Sequence, residues 1–179
     1  MKVRTEHIKD AVRAYHFTEE ALSFPLLTEM DANGECRFSG PVVVAVHAGK
    51  EHDHYRIEGQ VDVPVQLECC RCLNLFEKQI ASRFTIFFRE GTTSHEEEDE
   101  VELAEFDLVS TCFSGDEIDL APEIAEQVAL EIPLKPLCSE SCKGLCSICG
   151  VDLNTATCSC STVARQSKFD ALKDFKVRL

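Results

Sequence analysis

The sequence predicts an α+β fold, an antiparallel β-sheet or partly open barrel with one packed helix and a cysteine-rich C-terminal module. Three observations predict it. Residues 36–89 read as strands, with apolar and polar residues alternating from Tyr55 to Leu67, one stretch at 119–132 repeats its apolar residues at helical spacing, and cysteines crowd between Cys138 and Cys160. The chain divides accordingly into a β-rich body, 1–134, and a cysteine-rich module with a basic helix, 135–179. A length of 179 residues suits one sizeable domain with a small appendage.

Taken in order, Val42-Val43-Val44-Ala45-Val46 is rich in β-branched residues and reads as a buried strand. Residues 48–54 are polar and read as a turn or loop. From Tyr55 to Leu67 apolar and polar residues alternate, the pattern of a strand with one solvated face, and Pro64 points to an edge position or a bulge. Phe84, Ile86 and Phe88 mark another strand within 76–89. Residues 91–102 include Glu96-Glu97-Glu98-Asp99-Glu100, whose mutual repulsion and lack of apolar partners predict a mobile acidic loop. The helix at 119–132 has Asp119 as a cap, Pro122 in its first turn, and Ala121, Ile124, Ala125, Val128 and Ile132 on one face. Pro133 and Pro136 end it. Beyond the cysteines, 165–177 reads as a short basic amphipathic helix. Phe169, Leu172 and Phe175 lie on one side, and Arg165, Lys168, Lys173 and Lys176 lie largely elsewhere.

Eleven cysteines are an odd number, which argues against a fully paired disulfide framework. Residues 1–17 are charged throughout, with no apolar leader, and the most apolar short run, Pro41 to Val46, is far below the ~20 residues of a spanning helix. The expected compartment is the cytoplasm, where reduced cysteines at close spacing suit metal binding.

The clearest ligand set is Cys146-x-x-Cys149-Gly150 followed by Cys158-x-Cys160. A two-residue gap lets both thiolates of a tight turn face one ion, and the seven intervening residues suffice for a return loop. Four thiolates around one tetrahedral ion are the chemistry of structural zinc, so the C-terminal module is read as zinc-binding. Such a site leaves no position for a substrate water. Cys69 and Cys72 share the same spacing but need a second pair, for which Cys138 and Cys142 are the remaining candidates. The spacing predicts two zinc ions, held by Cys69/Cys72/Cys138/Cys142 and by Cys146/Cys149/Cys158/Cys160. A different pairing, or an empty first site, also satisfies the spacing. Cys36, Cys70 and Cys112 are read as buried and inert, and His52 and His54 as solvated.

Net charge is −14, unevenly spread: from Lys135 onward seven Lys/Arg face four Asp/Glu, a balance of +3 that leaves −17 on the body. An acidic body repels a phosphate backbone at long range and suits a basic protein partner, or solubility alone. Direct contact with an anion falls to the tail. No Ser/His/Asp set, phosphate-binding glycine loop or catalytically spaced carboxylate pair occurs, so the reading is non-enzymatic.

The motifs together resemble a known family. Leu67-Glu68-Cys69-Cys70-Arg71-Cys72-Leu73, Ile118-Asp119-Leu120, Pro133-Leu134-Lys135-Pro136-Leu137-Cys138, Cys142-Lys143-Gly144-Leu145-Cys146, Cys149-Gly150, Leu153-Asn154 and Cys158-Ser159-Cys160 occur in the order seen in the bacterial YceD family, the large ribosomal RNA subunit accumulation proteins. The resemblance runs from about Val61 to the C-terminus, with Ser147 standing where proline is expected. It implies a role in the synthesis, processing or accumulation of large-subunit (23S) ribosomal RNA, and hence in ribosome assembly. No catalytic residue carries over; the cysteines do, as ligands.

The expected partners are therefore precursor large-subunit ribosomal RNA or a basic ribosomal protein, with no membrane and no small-molecule substrate. Arg165, Lys168, Lys173, Lys176 and Arg178 are the candidate RNA contacts. The competing reading is a thiol-disulfide redox protein using Cys69 and Cys72. It expects a helix start within a βαβ unit, whereas the surroundings here are strand-like.

Overall fold

The computed structural model describes residues 1–8, 11–91 and 110–160. The acidic run at 96–100 and the basic helix at 165–177 lie outside the described residues. The architecture is α+β: a curled, open sheet with two helices and a cysteine-rich end. The sheet is built on β4 (Val42–Glu51), β5 (His54–Glu68) and β6 (Leu75–Glu90). β2 (Arg13–Glu19) pairs with β4, and β7 (Ser110–Phe113) with β6. β2 and β7 form the two outer edges and do not meet, so the curl stays open.

Alternation places Val42, Val44, Val46 and Ala48 of β4 on one buried face with Ile57, Val61, Val63, Val65 and Leu67 of β5. Val43 points outward and is 45% exposed, so this strand is half-buried, not buried on both faces. The expected loop at 48–54 shrinks to a turn at His52-Asp53, because both flanking strands continue to the Glu51↔His54 pair. His52 accepts a positive φ of 55° to close it.

Pro64 sits in the most heavily paired strand without breaking it. The pairing of β4 with β5 ends at Val43↔Asp62, and β3 (Arg37–Phe38) takes over at Phe38↔Val65. Pro64 lies between the two partners, and its carbonyl accepts the Ser39 N–H at 3.1 Å. A strand residue's N and O face the same neighbour, so the missing donor falls where no acceptor waits. Gly40 makes the crossing possible, since a Cβ there would stand 2.7 Å from the proline ring.

The described sheet is mixed, not wholly antiparallel, because β7 runs parallel to β6. A second, two-stranded sheet pairs β1 (Lys2–Arg4) with β8 (Glu117–Asp119). Helix α1 (Pro25–Ala32) buries Leu27 and Met30, and α2 (Ala121–Glu131) buries Ile124, Ala125 and Val128. α2 packs on β6, β5 and α1, covering the buried face of the sheet. Its start is held as expected: the Asp119 carboxylate accepts the Ala121 N–H at 3.0 Å, one position before the formal cap. Near its other end Glu131 accepts from the buried Ser82 hydroxyl at 3.2 Å.

Candidate metal centres

β5 and β6 pair along the whole 15-residue length of β5, so their connecting turn stands at the far tip of a long ribbon. That turn carries Cys69 to Cys72. It closes through Cys69 N–H to Asn74 O (3.0 Å) and Leu73 N–H to Cys69 O (2.8 Å), with Leu73 at φ 60°. Tight closure turns Cys69 and Cys72 inward and leaves Cys70 exposed, which corrects the reading of Cys70 as buried. Cys36 is buried as read, its thiol pushed up to about 11 mainly by burial and then by Asp31 and Glu35. Cys112 is half-buried, accepting from Arg89 Nε at 3.4 Å. His52 is exposed and His54 half-buried.

After α2 the chain runs back to this tip. The Cys70 N–H donates to Pro136 O at 2.9 Å, and the Arg71 guanidinium donates to the carbonyls of Cys142 (2.9 Å) and Glu140 (3.3 Å). Cys138 and Cys142 thereby reach Cys69 and Cys72. The sulfurs of Cys69 and Cys142 lie 3.8 Å apart, and those of Cys72 and Cys138 3.7 Å. A tetrahedron with metal–sulfur bonds of about 2.3 Å has sulfur–sulfur edges of about 3.8 Å, whereas a disulfide needs about 2.05 Å. The spacing fits four thiolates around an ion and does not fit disulfides. Phe76, Leu137 and Leu145 pack around Cys69, Cys72 and Cys142, forming a small second core that Phe76 joins to the main one.

Cys146, Cys149, Cys158 and Cys160 form the other group. Within each group the four sulfurs lie within 4.8 Å of one another, and no other such group occurs among the described residues. Gly150 (φ 74°) ends the Cys146–Cys149 turn, whose Gly150 N–H donates to Cys146 O at 2.9 Å. The loop to Cys158 folds back through Cys146 N–H to Val151 O (2.8 Å), Leu153 N–H to Gly144 O (2.9 Å) and a bridge between Leu145 and Asp152.

Thiol acidities are uneven within each group. Cys69 is brought down to about 6, chiefly by the backbone N–H of Cys138, and Cys146 down to about 6, chiefly by the backbone N–H of Cys149. Cys138 is pushed up to about 12 by desolvation and neighbouring thiols, and Cys160 up to about 12 chiefly by Cys149. One thiol per group is lowered, while Cys72 and Cys138 in the first group and Cys158 and Cys160 in the second are raised by desolvation and by the thiols beside them. A divalent cation offsets both effects and lets all four stay deprotonated. With four protein sulfurs, neither centre keeps an open position for a reacting water.

The structure thus brings together all eight cysteines singled out by spacing, in the two groups expected. Arg165, Lys168, Lys173, Lys176 and Arg178 lie outside the described residues. Sequence reasoning missed the polar shell: Arg71, Asn74, Asp152 and Asn154. Asn74 Nδ2 donates to Asp152 at 2.9 Å, and Asn154 Nδ2 donates to Cys142 Sγ at 3.3 Å. Hydrogen bonds from the Asn154 N–H, foremost, and from the Asn74 and Asn154 side-chain amides hold the Asp152 carboxyl below its usual range. Arg71 and Asn154 stand within the quoted motifs, but cysteine spacing assigns no role to them or to Asn74 and Asp152.

Among the described residues no helix is long and apolar enough to cross a membrane. A family model described as large ribosomal RNA subunit accumulation protein YceD matches residues 57–176. A maize protein named as a chloroplastic YCED homolog 1 of that description is 28% identical over 67% of this chain and 48% of its own length. Its Arabidopsis thaliana counterpart is 25% identical over 78% of this chain and 50% of its own length. An uncharacterised Mycobacterium tuberculosis protein is 34% identical over 54% of this chain and 44% of its own length. The chain thus spans about half the length of these curated relatives. No solved structure matches. With motifs, cysteine geometry and a family match over two thirds of its length in agreement, the chain belongs to the YceD family of large ribosomal RNA subunit accumulation proteins.

Proposed function

We propose that the protein is a non-enzymatic cytoplasmic factor in the accumulation of 23S ribosomal RNA, acting in its synthesis or processing during ribosome assembly. Two zinc ions, one in each four-cysteine centre, serve structure and not catalysis. The observation that carries this reading is the pair of four-cysteine groups in a chain of this family: each gathers its four sulfurs within 4.8 Å, and two edges of the first, 3.8 and 3.7 Å, match those of a tetrahedral ion. Zinc suits an all-thiolate tetrahedron that does no redox work.

In this reading the body, 1–134, and the module, 135–179, divide the work. The acidic body favours a basic ribosomal protein, and Arg165, Lys168, Lys173, Lys176 and Arg178 supply the charge for precursor RNA. The redox alternative fares worse on access. Cys69 and Cys72 are buried at a hairpin tip, not exposed at a helix start, although a thiol as acidic as Cys69 would be reactive if exposed.

The test is sedimentation of tagged protein from cell lysate. Enrichment on large-subunit precursor RNA over small-subunit precursor supports the proposal, and equal or absent recovery overturns it. Neutralising the five basic tail residues should flatten the salt dependence of RNA binding; an unchanged slope removes the direct RNA contact.

A further inference from the structure

We propose that the two cysteine centres load metal cooperatively, because Asn154, carried on the loop of the C-terminal centre, donates a hydrogen bond to a ligand sulfur of the bridging centre. This rests on the metal reading above and adds a coupling that the cysteines alone do not require.

Asn154 lies between Cys149 and Cys158, both members of the C-terminal group. Its place is set by the fold-back of that loop onto Gly144 to Cys146. From there its side chain leaves its own centre and reaches the other. Oδ1 accepts the Lys143 N–H at 2.8 Å, and Nδ2 stands 3.3 Å from Cys142 Sγ. The amide orientation is determined by its surroundings: the oxygen must meet a backbone donor, so the NH2 faces the sulfur and Asp152 Oδ1, the latter at 2.7 Å. Asp152 is held in turn by the Asn154 N–H at 2.9 Å and, from the hairpin turn, by Asn74 at 2.9 Å. One loop thereby touches three things at once: its own ligands, a ligand of the neighbouring centre, and the ribbon tip that carries Cys69 and Cys72.

A donor aimed at a thiolate draws off part of its charge and orients it, stabilising the metal–sulfur bond. With the C-terminal centre empty, nothing but a few hydrogen bonds orders the loop, and ordering it falls to the ion that enters the bridging centre. With the C-terminal centre filled, the loop is already in place. The second ion therefore binds more tightly, and linkage makes the effect reciprocal.

The experiment uses the full chain, stripped of metal under reducing conditions and titrated with zinc against a competing chelator. Disabling the C-terminal centre by Cys158→Ser with Cys160→Ser should weaken zinc at the bridging centre by about 10–100-fold. Asn154→Asp, which keeps the acceptor for Lys143 but turns a carboxylate on Cys142, should weaken it comparably. The two changes together should cost little more than either alone. Unchanged bridging affinity in the cysteine variant, or fully additive losses, overturns the coupling. A measurement without variants guards against misfolding: native mass spectrometry of the unmodified chain, with alkylation mapping of its one-ion form. Protection of Cys69, Cys72, Cys138 and Cys142 alone in a well-populated one-ion species overturns the proposal. An unmodified chain that binds no zinc overturns the metal reading itself, an outcome separate from two ions bound independently.

Discussion

The Arg71 carbonyl oxygen accepts the Leu145 N–H at 3.0 Å, and Gly144, just before it, approaches so closely that a Cβ would lie 2.9 Å from that same oxygen. This seam fastens the returning tail to the ribbon tip. Gly144→Ala meets both a backbone atom and a φ of 73° that suits glycine. It should destabilise the chain by about 2–3 kcal/mol and release metal at lower chelator concentration. Gly150→Ala is the control: φ is 74° but nothing lies within 4 Å, so the loss should be about 1 kcal/mol. Thermal unfolding of both variants checks the difference, and equal losses would remove the seam from the account.

Cysteine substitutions should divide sharply. Cys72→Ser should reduce zinc from two ions per chain to one, counted by native mass spectrometry, and cost several kcal/mol, about 2–5 by analogy with the loss of a structural cross-link. Cys70, its exposed neighbour, should tolerate serine with two ions retained. Loss of an ion from Cys70→Ser would show that the tip is wired differently.

Gly59 lies where neighbouring strands leave no room for a side chain. A Cβ there would stand 2.6 Å from Val46 Cγ1, 2.7 Å from the Ala45 carbonyl oxygen and 2.9 Å from the Phe84 ring. Gly59→Ala should therefore cost about 1–3 kcal/mol through overpacking, read from denaturant midpoints at constant slope. A neutral result would mean that the β4 backbone at Ala45 and the Val46 and Phe84 side chains all have room to shift.

Glu123 gives the stability curve a recognisable pH dependence. Burial raises its carboxyl above the usual range in the folded chain. Between the unfolded and folded values the folded state holds the extra proton, so stability falls as pH rises through that window and then levels off. Glu123→Gln should match the native chain in acid and become the more stable of the two towards neutral pH. A stability gap that does not change from acid to neutral would contradict this.

Periodicity and spacing made much of this molecule legible. The alternation from Tyr55 to Leu67 announced β5, the Ile124/Ala125/Val128 face announced α2, and ligand spacing grouped the eight cysteines as they stand. Short elements escaped because they carry too few residues for a period to register. β1 and β8 have three residues each and are defined only by each other. β7 joins the sheet in parallel, an orientation set by the path of the chain and invisible in four residues. Pro64 misled because its acceptability depends on where β4 stops and β3 begins, a fact of three strands and not of one. Asn154 was visible as a letter next to a leucine, but its reach to Cys142 depends on a loop closing first.

The return of the chain to the ribbon tip has a topological consequence. Once an ion joins Cys69 and Cys72 to Cys138 and Cys142, everything from β6 through α2 belongs to a closed ring. A single nick anywhere in that ring does not part the molecule: the two pieces stay tethered through sulfur until the ion is withdrawn. The protein would then survive a cut that severs an ordinary chain, and come apart only when the nick and the loss of metal coincide.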